Sequence, residues 1–400
     1  MPELILVTVV GAACFVASLL GAPDGVAAGG LGACVVFAVV ALARAAGVER
    51  ARRQASLRDR LTGLPNSKAM HQDVGAFLER PGGGSLMMVI FDLVGFKKYN
   101  DAYGFACGDA LLRRLSAKLV GAVGERGRVY RLRGAQLCVL SEMADKTVKE
   151  LSQEGAKALF EIGEGFMIRC AHGVVSLPDE ARSVSEALKL ADQHVQSERN
   201  TLQRQGFDEI GHVSAEPAAA RVSAPRYGVT ALAVPTGRRL GLDDDQLETL
   251  RSAARLRDVG MMSIPDAIVH APGRLTPQEW DFVHLHTLVG ERILRSNFGM
   301  DAVAEIVRSS HERFDGKGYP HGLAGDAIPR ASRIVFVCSA FQDMTSERAH
   351  RPALAAEEAL AELQRCAGTQ FDPDVVRAFV DEFRRHADET HEPPLEIARG

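Results

Sequence analysis

Two long stretches without a charged side chain open the chain and constrain how it can fold. Leu4 to Leu20 and Gly25 to Ala43 contain no Asp, Glu, Lys or Arg, and a short polar turn separates them. Each is near the ~17–25 residues that a helix needs to cross a bilayer. Basic residues follow the second stretch: Arg44, Arg50, Arg52 and Arg53. This pattern predicts a two-helix transmembrane hairpin within residues 1–55, with both ends in the cytoplasm.

A signal peptide ahead of a single span is the alternative interpretation. Signal peptides begin with a basic segment, whereas Glu3 is the only charged side chain before the first apolar stretch. The hairpin fits better, and it predicts a multi-pass protein of the cell membrane with its other domains in the cytoplasm. The seven cysteines are scattered without metal-ligand spacing, which agrees with a reduced compartment. A net charge of −4 gives no indication of nucleic-acid binding.

Strand and helix patterns alternate between residues 56 and 205. Ser85 to Leu93 is an apolar run that predicts a buried strand, and Asp109 to Ala122 has leucines at helical spacing. Two short strands are predicted around Arg133-Gly134, so this part is expected to be an α+β domain. Residues 206–225 are rich in Ala, Pro and Ser and predict a linker. The pattern of residues 226–400 is helical and predicts an all-α domain.

Two motifs in the first of these domains occur in order, at residues 59–66 (DRLTGLPN) and 91–109 (FDLVGFKKYNDAYGFACGD). Together they closely resemble the GGDEF diguanylate cyclase family, whose fold is of the palm or ferredoxin-like type. The chemistry of that family joins two GTP molecules and needs carboxylates that hold Mg²⁺ against a triphosphate. The resemblance implies that Asp92 is a metal-binding carboxylate and that Asn100 and Asp109 recognise guanine.

The signature hairpin departs from that family, because residues 133–137 read RGAQL where the family has GGDEF. Ala135 cannot bind a metal, and Gln136 keeps the shape of glutamate without its charge. Arg133 puts bulk where the family has a glycine beside the nucleotide. We therefore expect no cyclase activity. The domain is interpreted as a structural relic that binds nothing, and retained GTP binding is the alternative.

Four motifs occur in order in the helical domain: residues 264–266 (IPD), 272–276 (PGRLT), 311–320 (HERFDGKGYP) and 368–373 (GTQFDP). They are similar to the HD-GYP phosphodiesterase family, which cleaves cyclic di-GMP with a cluster of His and Asp around two or three metals. The resemblance implies Asp258, His286 and His311 as retained metal ligands. Other ligand positions have changed, and the residues now there are Pro225, Arg257, Ser310 and Ser339. Met261 stands where the family has a lysine.

Two interpretations of this second centre remain open. Arg257 can pair with Asp258 and give a metal-free site, or the three retained ligands can hold one divalent metal. The metal-free interpretation is favoured, so no cofactor is expected. Lys317, in the loop 315–320, can meet a phosphate, although a plain structural turn is an equal alternative. The other histidines show no ligand pattern: His270, His284, His321 and His350.

The sequence leaves three functions open. The first is a catalytically inactive receptor or regulator in cyclic-di-GMP signalling, with cyclic di-GMP, GTP or another signalling protein as its partner. The second is a phosphohydrolase that cleaves cyclic di-GMP with a reduced metal site. The third is a scaffold at the membrane whose domains serve as surfaces for a homodimer. The number of lost ligands favours the first function over the second.

Overall fold

A computed structural model describes residues 55–81, 84–142, 145–204, 227–347 and 352–390, together with residues 43, 44 and 48. The chain divides into two compact units. The smaller unit comprises residues 1–81 and 130–133, and the larger comprises 82–129 and 134–400. The candidate functional residues lie in the larger unit, so most of the description concerns it.

The prediction of a two-helix transmembrane hairpin is wrong, and with it the prediction of a multi-pass membrane protein. Within the part of the chain that the structure describes, no helix combines the length and the apolar character needed to span a bilayer. The two uncharged stretches lie outside the described residues, apart from Ala43. Absence of charge is a weak criterion here, because the second stretch has glycine at positions 25, 29, 30 and 32. Glycine lowers both hydropathy and helix propensity.

Among its described residues, the smaller unit contains the helix α1 (Ser67–Leu78). Asn66 caps this helix, because its side-chain oxygen accepts a hydrogen bond from the backbone N–H of Ala69 at 3.2 Å. Within the same unit, the hydroxyl of Tyr130 donates to Asp73 at 2.5 Å. The guanidinium of Arg131 pairs with Asp59 at 2.8 Å. These contacts join the segment 130–133 to α1 and to the motif at residues 59–66.

An antiparallel sheet forms the first part of the larger unit. The strands are β1 (Leu86–Val94), β2 (Arg128–Arg133), β3 (Gln136–Ser141), β4 (Glu161–Gly163) and β5 (Phe166–Leu177). Within the larger unit the strand order is β3-β1-β5-β4, and the residues of β2 are divided between the two units. The accompanying helices are α2 (Phe96–Tyr103), α3 (Phe105–Val123), α4 (Asp145–Ala158) and α5 (Val184–Arg204). Central strand β1 pairs with β3 on one side and β5 on the other, and its side chains are almost all buried. A near-continuous apolar run is typical of such a doubly covered strand.

In the second part of the larger unit, the described residues 227–347 and 352–390 form helices joined by loops. Its helices are α6 (Val229–Arg239), α7 (Asp244–Leu256), α8 (Asp266–Val269), α9 (Pro277–His284), α10 (His286–Arg295), α11 (Asp301–Arg308), α12 (Arg330–Thr345), α13 (Ala356–Arg365) and α14 (Pro373–Thr390). A 3₁₀ helix, Val259–Ser263, follows α7. Capping boxes start α7 at Asp243 and α9 at Thr276. The α+β and all-α characters of the two parts agree with the sequence patterns.

The sheet-containing part and the helical part share buried polar contacts within the larger unit. The hydroxyl of Tyr99, on α2, donates to the backbone carbonyl of Ser263 at 2.7 Å, and both residues are fully buried. Arg114, on α3, lies between two carboxylates, Glu161 at 3.2 Å and Glu279 of α9 at 2.9 Å. A buried hydroxyl needs such a partner, so these contacts fix α2 against the 3₁₀ helix.

Candidate functional site

Three candidate metal ligands come together in the helical part. Asp258 immediately precedes the 3₁₀ helix, His286 is the first residue of α10, and His311 follows α11. One ligand atom of each side chain lies within 4.8 Å of the others. The two imidazole rings meet edge to face, with their centroids 4.9 Å apart. The structure thus places the three residues implied by the HD-GYP resemblance in one cluster, which we call the triad.

His286 has the hydrogen bonding of a metal ligand. Its Nδ1 lies 2.7 Å from the backbone carbonyl oxygen of Val283. A carbonyl can only accept, so Nδ1 carries the proton and Nε2 keeps its lone pair. Nε2 is buried and has no hydrogen-bond partner among the described residues. Burial lowers the pKa of His286, which keeps the ring neutral as a ligand must be.

Three further aromatic rings connect His311 to the surface. The ring of Tyr319 stacks on His311 with centroids 5.1 Å apart and planes at 9°. The ring of Tyr319 also stacks on His284, with centroids 4.0 Å apart and planes at 21°. Trp280, one helical turn before His284 on α9, approaches that histidine at 5.7 Å. We call these four residues the aromatic stack. Sequence reasoning missed it, although the i,i+4 spacing of Trp280 and His284 on a predicted helix is a signal that could have suggested their contact.

Burial, followed by the charge of neighbouring His286, holds the pKa of the His311 imidazole well below its ordinary value. Burial also raises the pKa of the Tyr319 phenol, with the charge of Asp258 as the second cause. Both rings are therefore uncharged near neutral pH. In this state the triad carries one carboxylate charge and two neutral imidazoles.

Arg257 supplies a fixed positive charge beside the triad. Its Nη2 lies 3.0 Å from Oδ2 of Asp258. The guanidinium also donates to the carbonyl of Ala254 at 3.0 Å and to the side chain of Gln342 at 3.3 Å. Three partners hold the arginine in place, and a guanidinium does not lose its proton in proteins. It therefore compensates Asp258 electrostatically and opposes the approach of a cation.

Among the described residues, the donors at this site fit one divalent cation. Two imidazoles and one carboxylate are a recognised single-metal set. At the other positions that the HD-GYP resemblance implies, Ser310 donates its hydroxyl to the carbonyl of Val307 at 2.8 Å. The Ser339 hydroxyl is buried without a partner in the described part of the chain. Met261 supplies no charge, and Pro225 lies outside the described residues.

A rigid loop carries Tyr319 and Lys317. Glu312 is almost fully buried and accepts hydrogen bonds from the backbone N–H groups of His321 at 2.7 Å and Leu323 at 3.0 Å. A Cβ on Gly318 would lie 2.2 Å from the backbone nitrogen of Arg313, so only glycine fits this turn. Lys317 is exposed at the surface of the loop. The conformation of the loop is therefore fixed by these contacts, and Lys317 is exposed to solvent on it.

In the sheet-containing part, the residues implied by the GGDEF resemblance lie on β1 and on the two helices that follow it. Asp92 is the cross-strand neighbour of Gln136. Its Oδ2 lies 3.0 Å from Nη1 of Arg199, on α5, a contact that sequence reasoning did not find. Asn100 lies on α2 with a buried side-chain oxygen, and Asp109 lies exposed on α3. Ala135 lies in the turn that precedes β3.

Comparison with known proteins assigns both parts. The sequence model of the family described as "Diguanylate cyclase, GGDEF domain" matches residues 56–205, and the one described as "HD domain" matches residues 182–375. The chain contains a GGDEF domain and an HD domain. These matches confirm the GGDEF type of the first domain and the HD type of the second, while the loss of their catalytic residues stays a prediction.

Relatives with assigned names include cyclic di-GMP phosphodiesterases. A cyclic di-GMP phosphodiesterase of Thermotoga maritima is 39% identical over 159 residues, which are 38% of this chain and 43% of that protein. The cyclic di-GMP phosphodiesterase response regulator RpfG of Xanthomonas campestris pv. campestris is 30% identical over 216 residues, 53% of this chain and 57% of that protein. The chain thus spans about half the length of these relatives.

Among solved structures, the coiled coil and GGDEF domain of DgcB from Caulobacter crescentus, in complex with c-di-GMP, is similar with a TM-score of 0.39 and 18% identity. That match covers 45% of this chain and 97% of the other.

Proposed function

We propose that the protein is a non-catalytic receptor or regulator in cyclic-di-GMP signalling. Its HD domain binds the cyclic dinucleotide without hydrolysing it, and its GGDEF domain makes none. The observation that carries this proposal is the contact of 3.0 Å between Arg257 and Asp258, which puts a permanent cation where a metal ligand is needed. The proposed layout assigns residues 56–205 to the GGDEF domain, 206–225 to a linker and 226–400 to the HD domain.

Hydrolysis of a phosphodiester by a metal centre needs cations that generate the nucleophile and offset the developing negative charge. The described residues offer donors for one cation in the triad, and one of those donors, Asp258, is already paired with Arg257. Ser310 uses its hydroxyl on a backbone carbonyl, so it does not replace a histidine ligand. Binding a phosphate is less demanding, because an arginine and a lysine can do so without a metal.

In the GGDEF domain, too, an arginine pairs with a carboxylate that the resemblance assigns to a metal, and this supports the inactivity of that domain. Asp92 is compensated by Arg199, and its cross-strand neighbour Gln136 has no charge to add. Mg²⁺ prefers carboxylate oxygens, and here the carboxylate of Asp92 is already paired with an arginine. GTP, other signalling proteins and a second copy of the chain remain proposed partners of this domain.

A phosphodiesterase with one metal is the second candidate function. The observation that favours it is the lone pair of His286 Nε2, which is buried, unpartnered and part of the triad. A carboxylate also has two oxygens, so the contact with Arg257 occupies only part of Asp258. When bound, a divalent cation would be held by the triad and would supply Lewis-acid polarisation of the phosphate.

One set of measurements on the full chain separates the two candidates. We expect calorimetry to show binding of cyclic di-GMP, metal analysis after incubation with Mn²⁺ or Fe²⁺ to find less than one equivalent, and chromatography to find no hydrolysis product. Hydrolysis that is lost in His286→Ala but kept in His270→Ala, a substitution of an exposed histidine outside the triad, would establish the phosphodiesterase instead. Absence of binding in the wild type would overturn the receptor proposal.

A further inference from the structure

The chain has a single tryptophan, Trp280. The side chain of this tryptophan is about half exposed, at 48%. A large ring that is half in water forgoes much of the stabilisation that its burial would give. Trp280 lies on α9, next to Glu279. The ion pair between Glu279 and Arg114 holds this helix against the GGDEF domain. The exposed ring is thus carried by a helix that is held in place.

The aromatic stack extends from this ring to the triad. The order is Trp280, His284, Tyr319 and His311, and the two inner contacts are close to parallel, at 21° and 9°. The last member is itself a triad residue. The loop that carries Tyr319 also carries the exposed Lys317 two residues earlier. A flat aromatic surface therefore leads to the triad through Tyr319 and His311, and the loop of Tyr319 carries a cation.

We propose that Trp280 is the outer platform of a nucleobase site, on which one purine of a cyclic purine dinucleotide stacks while Lys317 pairs with its phosphate. The inference rests on the proposed function, because it concerns how the HD domain recognises its dinucleotide. Base stacking on an exposed aromatic ring extends the existing order of the stack by one ring. The negative charge of the phosphate complements the lysine.

An exposed tryptophan can also contact a protein partner. The parallel inner rings and the lysine favour the nucleotide, since a protein contact requires neither. If the dinucleotide binds without contacting Trp280, that ring is left exposed for a protein contact instead.

The chain offers a direct readout. Because Trp280 is the only tryptophan, its fluorescence in the full chain reports on this position alone. Cyclic di-GMP should quench or shift the emission at saturating concentration, and inorganic phosphate should not. Calorimetry then measures the affinity of wild type, Trp280→Leu and Trp280→Phe. A lost base stack weakens binding by about 5- to 100-fold, so we expect that loss in the leucine variant and a much smaller one in the phenylalanine variant.

Phe298→Leu is the matched control, since Phe298 is a fully exposed aromatic outside the stack. It should bind like wild type. If wild type binds the dinucleotide without a change in its tryptophan emission, and Trp280→Leu binds with wild-type affinity, the stacking site is refuted while the receptor proposal stands. If wild type does not bind, both proposals fail. Circular dichroism of each variant verifies that the fold is intact.

Discussion

Replacing Arg257 by alanine should convert the triad into a better cation site. The guanidinium lies 3.0 Å from Asp258 Oδ2, so its charge acts directly on one of the three donors. Two unit charges about 4 Å apart interact by about 1 kcal/mol in water and about 4 kcal/mol near a protein surface. The side chain of Asp258 is 53% exposed, which favours the lower figure.

A divalent cation doubles that interaction, so relief of the repulsion contributes about 2 kcal/mol, or roughly a 30-fold gain in affinity. The folded state should lose little, because a half-exposed ion pair contributes about 0–1 kcal/mol. Competition against a metal-sensitive fluorescent chelator, with Mn²⁺ and Zn²⁺, measures the affinity of each variant. The gain should shrink in concentrated salt, which screens exposed charges.

Arg255→Ala provides the control, since it removes the same charge from an exposed position two residues away. It should change the affinity by no more than about twofold, because solvent screens that charge. Adding His286→Ala to Arg257→Ala should abolish the gain. If Arg257→Ala binds metal no better than Arg255→Ala does, arginine is not what opposes the cation, and the reasoning from the ion pair is refuted.

Three further predictions concern activity, the domain contact and pH. The full chain, given GTP and Mg²⁺, should form no cyclic di-GMP because Gln136 supplies no charge; any product above the enzyme-free blank contradicts this. Tyr99→Phe should lower the free energy of unfolding by about 1–3 kcal/mol in urea titrations, because the carbonyl of Ser263 loses a buried donor; a change below about 0.5 kcal/mol would count against it. Lowering the pH from 7.5 to 5.5 should destabilise the protein by up to about 1.4 kcal/mol for each of His286 and His311, whose pKa values are lowered by burial. The unfolded chain then binds more protons, so stability is retained above the ordinary histidine pKa and lost below it; an unchanged urea midpoint would contradict this.

The order of strands and helices could be predicted because its signals are local. The apolar run from Ser85 to Leu93 became β1 (Leu86–Val94), and the leucine spacing after Asp109 became α3 (Phe105–Val123). The interpretation of the N-terminal stretches was wrong because it relied on the absence of charge. Length and charge alone do not measure how favourably a glycine-rich segment enters a bilayer.

The candidate site was predictable where the chemistry follows from neighbours in sequence. Arg257 and Asp258 are adjacent, so their pairing could be anticipated from charge alone. The pair of Asp92 with Arg199 spans 107 positions, and the stack of His284 on Tyr319 depends on how a loop meets a helix. Such long-range contacts leave no periodic pattern in the sequence, so only the folded chain shows them.

The hydrogen bond from Tyr99 to Ser263 has a consequence for how the two domains can be separated. Cutting the chain at the linker would expose a tyrosine hydroxyl on one fragment and a backbone carbonyl on the other, each now buried. Each fragment would also present to water the apolar surface that covers this bond, which is a hazard for aggregation. The GGDEF and HD domains should therefore melt as one cooperative transition, and neither is expected to retain its native stability when expressed alone.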